Sequence, residues 1–210
     1  MKQVINKTKL TVALLILSVY SAVAALSTTV TDLKCEYRTN PVGIDVMQPR
    51  LSWKIISDKN NLMQTAYEIR VAGTQNDLGK KSKQIWATGK VESEQSVNVV
   101  YGGPELESMK RAYWQVRIWD NDNKATKWSE PAYWETGILK PQLWTASWIT
   151  LPNEPDANGK SLPCQYYRNE FSTAKKIKSA RAYITSLGLY ELYLNGQKVG
   201  DQLFTPGWTS

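Results

Sequence analysis

The 210-residue chain carries 26 basic and 19 acidic side chains, a formal net charge of +7, and it contains no histidine. The missing histidine excludes every Ser-His or Cys-His nucleophile pair and every zinc site that needs imidazole. With 42% hydrophobic and 21% charged residues, the composition is that of a globular protein with room for one or two domains. Nine Trp and eleven Tyr against two Phe favour thin β-sandwiches and surfaces that meet sugars or partners.

The N-terminus has the pattern of a secretory signal peptide: three lysines, an apolar run over residues 10–19 and small residues at 22–24. The lysines are Lys2, Lys7 and Lys9. The apolar run is too short to span a bilayer comfortably, so cleavage is favoured over a membrane anchor. We therefore expect residues 1–25 to be a signal peptide and the mature protein to be secreted or periplasmic, with no membrane segment. Cleavage leaves 23 basic against 19 acidic residues, too small and too even an excess for a nucleic-acid partner.

Residues 28–140 alternate between apolar and polar side chains with the period of two that is typical of antiparallel strands. Seven short runs separated by turn residues predict an immunoglobulin-like β-sandwich. The buried face is predicted to contain Leu51, Trp53, Ile55, Tyr67, Ile69, Val71, Trp114, Val116 and Ile118. The opposite face is predicted to contain Arg50, Ser52, Lys54, Ala66, Glu68, Arg70, Gln115 and Arg117. The other strands are expected near residues 32–37, 85–88, 96–101 and 131–136.

Several of these runs resemble a fibronectin type III domain. Trp53 stands where that family keeps its second-strand tryptophan, and Trp114 replaces the tyrosine usual in its sixth strand. Trp128, followed by Ser129, resembles half of the Trp-Ser motif of cytokine receptors, in which arginines stack on tryptophan faces. We therefore predict that Arg117 stacks on Trp128. Trp119 is either a half-exposed sheet residue or a pad against a neighbouring domain, and the pad is favoured.

Residues 120–123 (Asp-Asn-Asp-Asn) have a faint likeness to a calcium loop. An EF-hand loop starting at Asp120 needs Asp or Asn at its fifth position, Gly at its sixth and Glu at its twelfth. The chain has Lys124, Ala125 and Pro131 at those positions. The pattern therefore favours a solvated hairpin turn over a metal site.

A second unit begins at Leu143 and runs to Ser210, with alternating segments at residues 166–171, 178–186, 189–194 and 197–200. Asn195-Gly196 predicts a type I′ hairpin turn, because both positions of that turn take positive φ. The segments are fewer than the ~8 strands of a jelly roll. We therefore predict an incomplete carbohydrate-binding-like β-sandwich over residues 143–210. Cys35 and Cys164 lie in different units, so two buried thiols are favoured over a disulfide.

Short motifs follow one another along the chain in an order that carries a more specific resemblance. They lie at residues 33–37, 41–45, 49–53, 64–67, 113–120, 127–129, 146–149, 190–201 and 206–209. The ordered set resembles the N-terminal region of bacterial α-L-rhamnosidases, and it covers essentially all of the chain after the signal segment.

The resemblance implies a fibronectin-like domain and then a carbohydrate-binding-like sandwich, with the active site further along in an (α/α)₆ barrel. In that barrel acidic residues act as general acid and general base, and inversion needs two carboxyls far enough apart to admit a water. No position of this chain matches the catalytic motifs, so we predict no catalytic residue, metal or cofactor in it and no hydrolysis by the chain alone. The expected partners are rhamnose-containing glycans, met through the full-length enzyme, and the C-terminal catalytic domain.

Two other interpretations stay open. The chain is alternatively a stand-alone secreted binding module whose aromatic side chains stack on sugar rings, with Tyr190, Tyr193 and Trp208 as the candidates. For each of these three residues a packing role is favoured over sugar binding. A β-galactosidase-like parent is a further interpretation, against which the fibronectin-like domain and the Pro-Gly-Trp-Thr sequence at 206–209 both count.

Overall fold

The structure is a computed structural model that describes residues 28–150 and 164–207. These residues contain β-strands and three 3-10 turns, Gln75–Asp77, Lys81–Lys83 and Pro141–Leu143, so the predicted all-β fold class is confirmed. The chain divides into two compact units between Ser147 and Trp148, and each unit is described by itself. The predicted signal peptide lies outside the described residues, and the domain boundaries at 28–140 and 143–210 stay predictions.

The described part of the first unit, from residue 28 onward, contains nine strands arranged in two sheets. They are β1 (Thr28–Cys35), β2 (Val42–Ile44), β3 (Arg50–Ser57), β4 (Gln64–Ala72), β5 (Gln84–Ala87), β6 (Val91–Glu92), β7 (Val99–Val100), β8 (Arg111–Asp120) and β9 (Ala132–Thr136). One sheet has the order β2-β9-β8-β4-β5, with β6 also paired to β4, and the other has the order β1-β3-β7. Neighbouring strands are antiparallel except β2 and β9, which are parallel.

Side chains from both sheets form one buried core, as the alternating pattern predicts. The fully buried members include Leu51, Ile69, Val71, Trp114, Val116, Ile118 and Trp134. Trp53 meets Tyr67 edge to face at 5.3 Å between ring centroids, and its Nε1 donates to Gln64 Oε1 at 3.1 Å. One residue of the predicted polar face is also buried: Ala66, which is paired with Trp119 of β8 on one side and with Glu92 of β6 on the other.

The structure adds two strands that the sequence pattern does not predict. Strand β2 pairs with β9 through Val42 and Ile44, and β6 pairs with β4 through only two residues. Strand β7 covers Val99–Val100, which is shorter than the run expected at 96–101. Segments of two or three residues are too short to show a period of two, so only their hydrogen-bonding partners define them as strands.

In the second unit, residues 164–207 contain much less regular structure than expected. Its strands are β10 (Tyr193–Leu194) and β11 (Gln197–Lys198), which form a two-stranded antiparallel sheet. An isolated bridge joins Tyr190 to Thr205. The segments at 166–171 and 178–186 are not strands, so these two expectations are wrong. Alternation gives a segment one apolar face, but a strand also needs a neighbouring strand to pair with. Within residues 164–207 the strand pairing is confined to β10 with β11 and to the bridge between Tyr190 and Thr205.

Candidate functional site

The β10–β11 hairpin of the second unit contains Tyr193, one of the predicted sugar-binding residues, and Tyr190 precedes the hairpin in an isolated bridge to Thr205. The register of the hairpin pairs Tyr193 with Lys198 and Leu194 with Gln197, which leaves Asn195-Gly196 as a two-residue turn. Both turn residues have positive φ, 51° at Asn195 and 79° at Gly196. The type I′ turn predicted from this dipeptide is therefore confirmed. Trp208, the third candidate, lies outside the described residues.

Tyr190 and Tyr193 lie in different surroundings. Tyr190 is half-buried, its backbone N–H donates to Thr205 O at 2.9 Å, and its hydroxyl donates to Ile184 O at 3.3 Å. Tyr193 is 55% exposed, and its hydroxyl donates to Glu191 Oε2 at 2.8 Å. Tyr190 thus links two neighbouring stretches of the chain by hydrogen bonds, whereas the ring of Tyr193 is exposed to solvent. The sugar-binding role of both residues stays a prediction.

Glu191 connects the polar groups of this hairpin. Its second carboxylate oxygen, Oε1, accepts a hydrogen bond from the Lys198 ammonium group. The bond to Lys198, followed by the bond from Tyr193, holds the pKa of Glu191 below its ordinary value. The same bonds raise the pKa of Lys198 and that of Tyr193 above their ordinary values. At neutral pH the hairpin therefore presents an ionised carboxylate between a neutral phenol and an ammonium group.

A separate row of stacked side chains covers the outer face of the six-stranded sheet in the first unit. The Arg117 guanidinium carbon lies 4.8 Å from the Trp128 ring centroid, so the predicted stack is confirmed. The same group lies 4.9 Å from the Trp119 ring, Arg70 lies 3.9 Å from Trp128, and Lys90 Nζ lies 5.2 Å from Trp119. We call these five residues the cation–π ladder. The register of β4 and β8 pairs Arg70 with Gln115, and the Ser129 N–H donates to Val116 O at 2.9 Å, so the segment with Trp128 runs beside the same part of β8. Sequence patterning supplies neither pairing, and it does not predict the contacts of Arg70 and Lys90.

The ladder is more suited to bracing the sheet than to binding a sugar. Two cations already lie over each indole ring, which leaves less of the ring for a pyranose face. Arg117 also pairs with Glu68 at 2.6 Å, and Arg70 donates to Gln115 Oε1 at 2.6 Å, so the guanidinium groups are held in place. The structure places Trp119 as a half-buried sheet residue; its role as a pad against a neighbouring domain stays a prediction.

The turn at residues 120–123 is a hairpin turn, as predicted. The buried Asp120 carboxylate accepts the N–H groups of Asp122 at 3.1 Å and Lys124 at 2.8 Å. Lys59 Nζ lies 2.9 Å from Asp120 and 3.2 Å from Asp122. Local N–H groups and an ammonium group thus occupy the oxygens that a cation would need. No group of three or more His, Cys, Asp or Glu suited to a metal lies within residues 28–150 and 164–207.

Both cysteines are free in the structure. Cys35 is buried, and burial raises the pKa of its thiol to about 12, so it is a packing residue rather than a nucleophile. Cys164 is exposed, which corrects the expectation of two buried thiols. Its segment has no strand partner in the described part of the second unit, and this leaves the side chain uncovered.

Among the described residues, no helix has the length and apolarity to span a membrane.

Comparison with known proteins agrees with this architecture. The family described as "Rha78A-like, N-terminal immunoglobulin domain" matches residues 30–140, and the family described as "Alpha-L-rhamnosidase N-terminal domain" matches residues 175–210. An α-L-rhamnosidase of Formosa agariphila is 35% identical over 187 residues, which is 80% of this chain and 20% of the relative. The chain therefore spans about one fifth of the length of this curated relative.

Two solved structures are similar as well. The α-L-rhamnosidase of Dictyoglumus thermophilum aligns with a TM-score of 0.74 and 36% identity over 86% of this chain and 22% of that one. The α-L-rhamnosidase of Streptomyces avermitilis, solved in complex with L-rhamnose, aligns with a TM-score of 0.58 and 41% identity over 60% of this chain and 12% of that one.

The fold places the first unit in the class of immunoglobulin-like β-sandwiches, which supports many unrelated functions. The comparisons identify one family within that class. The chain belongs to the family of Rha78A-like N-terminal immunoglobulin domains, and with the second match it corresponds to the N-terminal region of α-L-rhamnosidases. The family resemblance noted in the sequence is therefore confirmed.

Proposed function

We propose that this chain is the non-catalytic N-terminal portion of an exported α-L-rhamnosidase-like enzyme that removes terminal α-L-rhamnose from plant or polysaccharide glycans. One observation carries the proposal: both N-terminal family matches occur in order, and an α-L-rhamnosidase relative aligns over 80% of this chain but only 20% of its own length. Glycoside hydrolysis with inversion needs two carboxyls on opposite sides of the scissile bond. The proposal assigns that pair to the catalytic region and a bracing role to the β-sandwich of residues 28–140.

A graft onto a solved relative tests the proposal. In the Dictyoglumus thermophilum enzyme, the matched 22% is replaced by this chain or deleted. We expect the graft to release nitrophenol from 4-nitrophenyl α-L-rhamnoside, the deletion to lose stability, and the 210-residue chain alone to release none. Release of rhamnose by the chain alone overturns the non-catalytic assignment. A soluble, folded graft that is no more stable or active than the deletion overturns the bracing role.

The proposal includes export, with the mature protein secreted or periplasmic. It is supported by the lysines, apolar run and small residues within positions 1–25. Expression of the chain in a bacterial host and N-terminal sequencing of the periplasmic protein provide the test. We expect the first residue of the exported form to lie close to position 25. Retention of an intact Met1 in the cytoplasmic fraction contradicts the export proposal.

A stand-alone carbohydrate-binding module is the second candidate function, and the exposed ring of Tyr193 is the observation that favours it. The reading frame beyond the codon for Ser210 separates the two candidates. A frame that continues for several hundred residues with an acid-rich helical region supports the enzyme. A genuine stop directly after this codon, with a soluble product that binds sugar, supports the module.

A further inference from the structure

The turn of the β10–β11 hairpin consists of two residues whose own atoms can react with each other. A bond between the Gly196 backbone nitrogen and the carboxamide carbon of Asn195, Cγ, closes a succinimide ring, and asparagine is thermolabile for this reason. Both residues are exposed. A Cβ placed on Gly196 would meet nothing within 4 Å, so the space beside the attacking nitrogen is open.

Hydrogen bonds leave both reacting groups unengaged. The ladder pairs Tyr193 with Lys198 and Leu194 with Gln197, so the Gly196 N–H lies outside it. Among the described residues, no hydrogen bond engages this N–H or the Asn195 carboxamide. The nitrogen attacks after it has lost its proton, and a hydrogen bond donated by the N–H would hold that proton more firmly. The Gly196 nitrogen is therefore available for attack.

The hairpin is short enough to open without unfolding of the first unit. In the closed turn φ is 51° at Asn195 and 79° at Gly196, and ring closure requires the backbone between the two residues to rotate away from this geometry. Two residue pairs form the hairpin ladder, and a two-stranded hairpin by itself is marginally stable in water. The core of the first unit contains no residue of the hairpin, so the reactive geometry is reached by local opening.

We propose that Asn195 is a site of spontaneous deamidation, which changes the charge and the shape of the hairpin. The Gly196 nitrogen forms a bond to Asn195 Cγ, the Cγ–Nδ2 bond breaks, and the former amide proton leaves with Nδ2 as ammonia. Water then adds to one of the two carbonyl carbons of the succinimide, and the ring C–N bond to that carbon breaks. Opening at Cγ gives aspartate, whereas opening at the main-chain carbonyl carbon gives isoaspartate.

The two products have different effects on the turn. Aspartate tolerates the left-handed region as asparagine does, so it keeps the type I′ turn and adds a negative charge. Isoaspartate places Cβ and Cγ in the main chain, and the lengthened turn no longer brings Leu194 opposite Gln197. Because ammonia is lost, the reaction runs in one direction. The hairpin therefore opens progressively as the protein ages.

Peptide mass spectrometry of the aged full chain tests the site. The purified 210-residue chain is kept in mildly alkaline buffer at physiological temperature, and deamidation is followed at each asparagine. Asn169 is the matched control, since it is also an exposed asparagine of the second unit. We expect Asn195 to deamidate at least about tenfold faster, because Glu170 follows Asn169 and its Cβ crowds the backbone nitrogen. A rate at Asn195 no faster than that at Asn169 overturns the site.

Asn195→Gln tests the change of shape, because glutamine would have to close a larger and less favourable ring. The dipeptide Asn158-Gly159, which lies outside the described residues, remains in this variant and reports that the buffer promotes deamidation. Hydrogen exchange at the Val199 amide, which donates to Leu192 O at 2.8 Å, should quicken several-fold as isoaspartate accumulates in the wild type and stay constant in Asn195→Gln. Isoaspartate at position 195 without faster exchange overturns the change of shape. Exchange that quickens equally in Asn195→Gln overturns its assignment to this residue.

Discussion

The described parts of the two units show what an alternating sequence achieves in long paired strands and in short ones. In the first unit, β8 is ten residues long, and every second side chain from Ala112 to Asp120 is buried. In the second unit the strands are two residues long and Leu194 and Val199 stay exposed, although the sequence alternates there as well. Strand β8 has a neighbour on both sides, β4 and β9, and its face meets the other sheet. Alternation therefore selects which face is buried, but only neighbouring strands and an opposing sheet bury it.

The strongest test of this comparison is truncation of a core residue in the first unit. Trp134 is fully buried and packs edge to face on Tyr101, with 5.3 Å between ring centroids. We expect Trp134→Ala to lower the free energy of unfolding by about 3–5 kcal/mol, because the lost contacts leave a large cavity. Urea denaturation followed by tryptophan fluorescence measures the change. Trp144→Ala, which removes an exposed indole, is the control and should change stability by less than about 0.5 kcal/mol. Equal effects of the two substitutions contradict the assigned core.

The next largest loss of stability is expected from substitution of Gly103, a glycine beside the same core. A Cβ on Gly103 would lie 2.4 Å from Tyr101 Oη and 2.7 Å from Trp86 Cβ, both on side chains held in the core. We expect Gly103→Ala to destabilise the first unit by about 1–3 kcal/mol, since the loop must move away from Tyr101. Thermal unfolding measures the loss of stability. Gly79→Ala is the control, because a Cβ on Gly79 meets nothing within 4 Å. A Gly103→Ala variant as stable as Gly79→Ala shows that the loop relaxes freely.

The sequence predicts those parts of the molecule whose signal is local. Strands β3, β4 and β8 are long enough to show their period, and Asn195-Gly196 specifies its own turn. Arg117 on Trp128 was found because both residues belong to a recognisable motif. Strands β2 and β6 were missed because pairing alone defines them.

The candidate site follows the same rule. The residue type predicts Tyr193 as a candidate, but it predicts neither the hydrogen bond of Tyr193 to Glu191 nor its pairing with Lys198. Glu191 lies two residues before Tyr193, and this spacing in an extended chain was a signal available in the sequence. Lys198 is brought to Tyr193 by the hairpin register, which the Asn195-Gly196 turn fixes. A turn of known length thus predicts cross-strand pairs, such as Tyr193 with Lys198.

A smaller change in stability is expected from acid, again in the first unit. The hydrogen bond from Lys59 holds the pKa of Asp120 below its ordinary value. Because the folded pKa lies below the unfolded one, this stabilisation is present above about pH 4 and is lost as the pH falls through the folded value. We expect Asp120→Asn to lower the free energy of unfolding by about 1 kcal/mol at pH 7. The wild type should lose stability between about pH 4, the ordinary carboxyl pKa, and about pH 2, and the variant should lose less over this range. Urea denaturation across this pH range provides the measurement.

The control for acid sensitivity is Asp122→Asn, because Asp122 contacts the same Lys59 but its side chain is 57% exposed. This variant should follow the wild type at every pH, since an exposed ion pair contributes little. Acid profiles that coincide for the wild type and Asp120→Asn contradict the linkage. They would place the acid sensitivity in other carboxylates of the chain, such as Glu36 beside Arg50.

The smallest effect on global unfolding is expected in the second unit. Gly196 has φ of 79°, so Gly196→Ala places a side chain in the left-handed region and costs about 1 kcal/mol locally. The first unit should nevertheless unfold at an unchanged urea concentration, because its core contains no residue of the hairpin. Hydrogen exchange at the Val199 amide, which donates to Leu192 O at 2.8 Å, should become faster, with Gln197→Ala as the control. A shift of the tryptophan-monitored transition would instead mean that the two units unfold together. The two units would then differ in how much apolar surface they expose, and not in their stability.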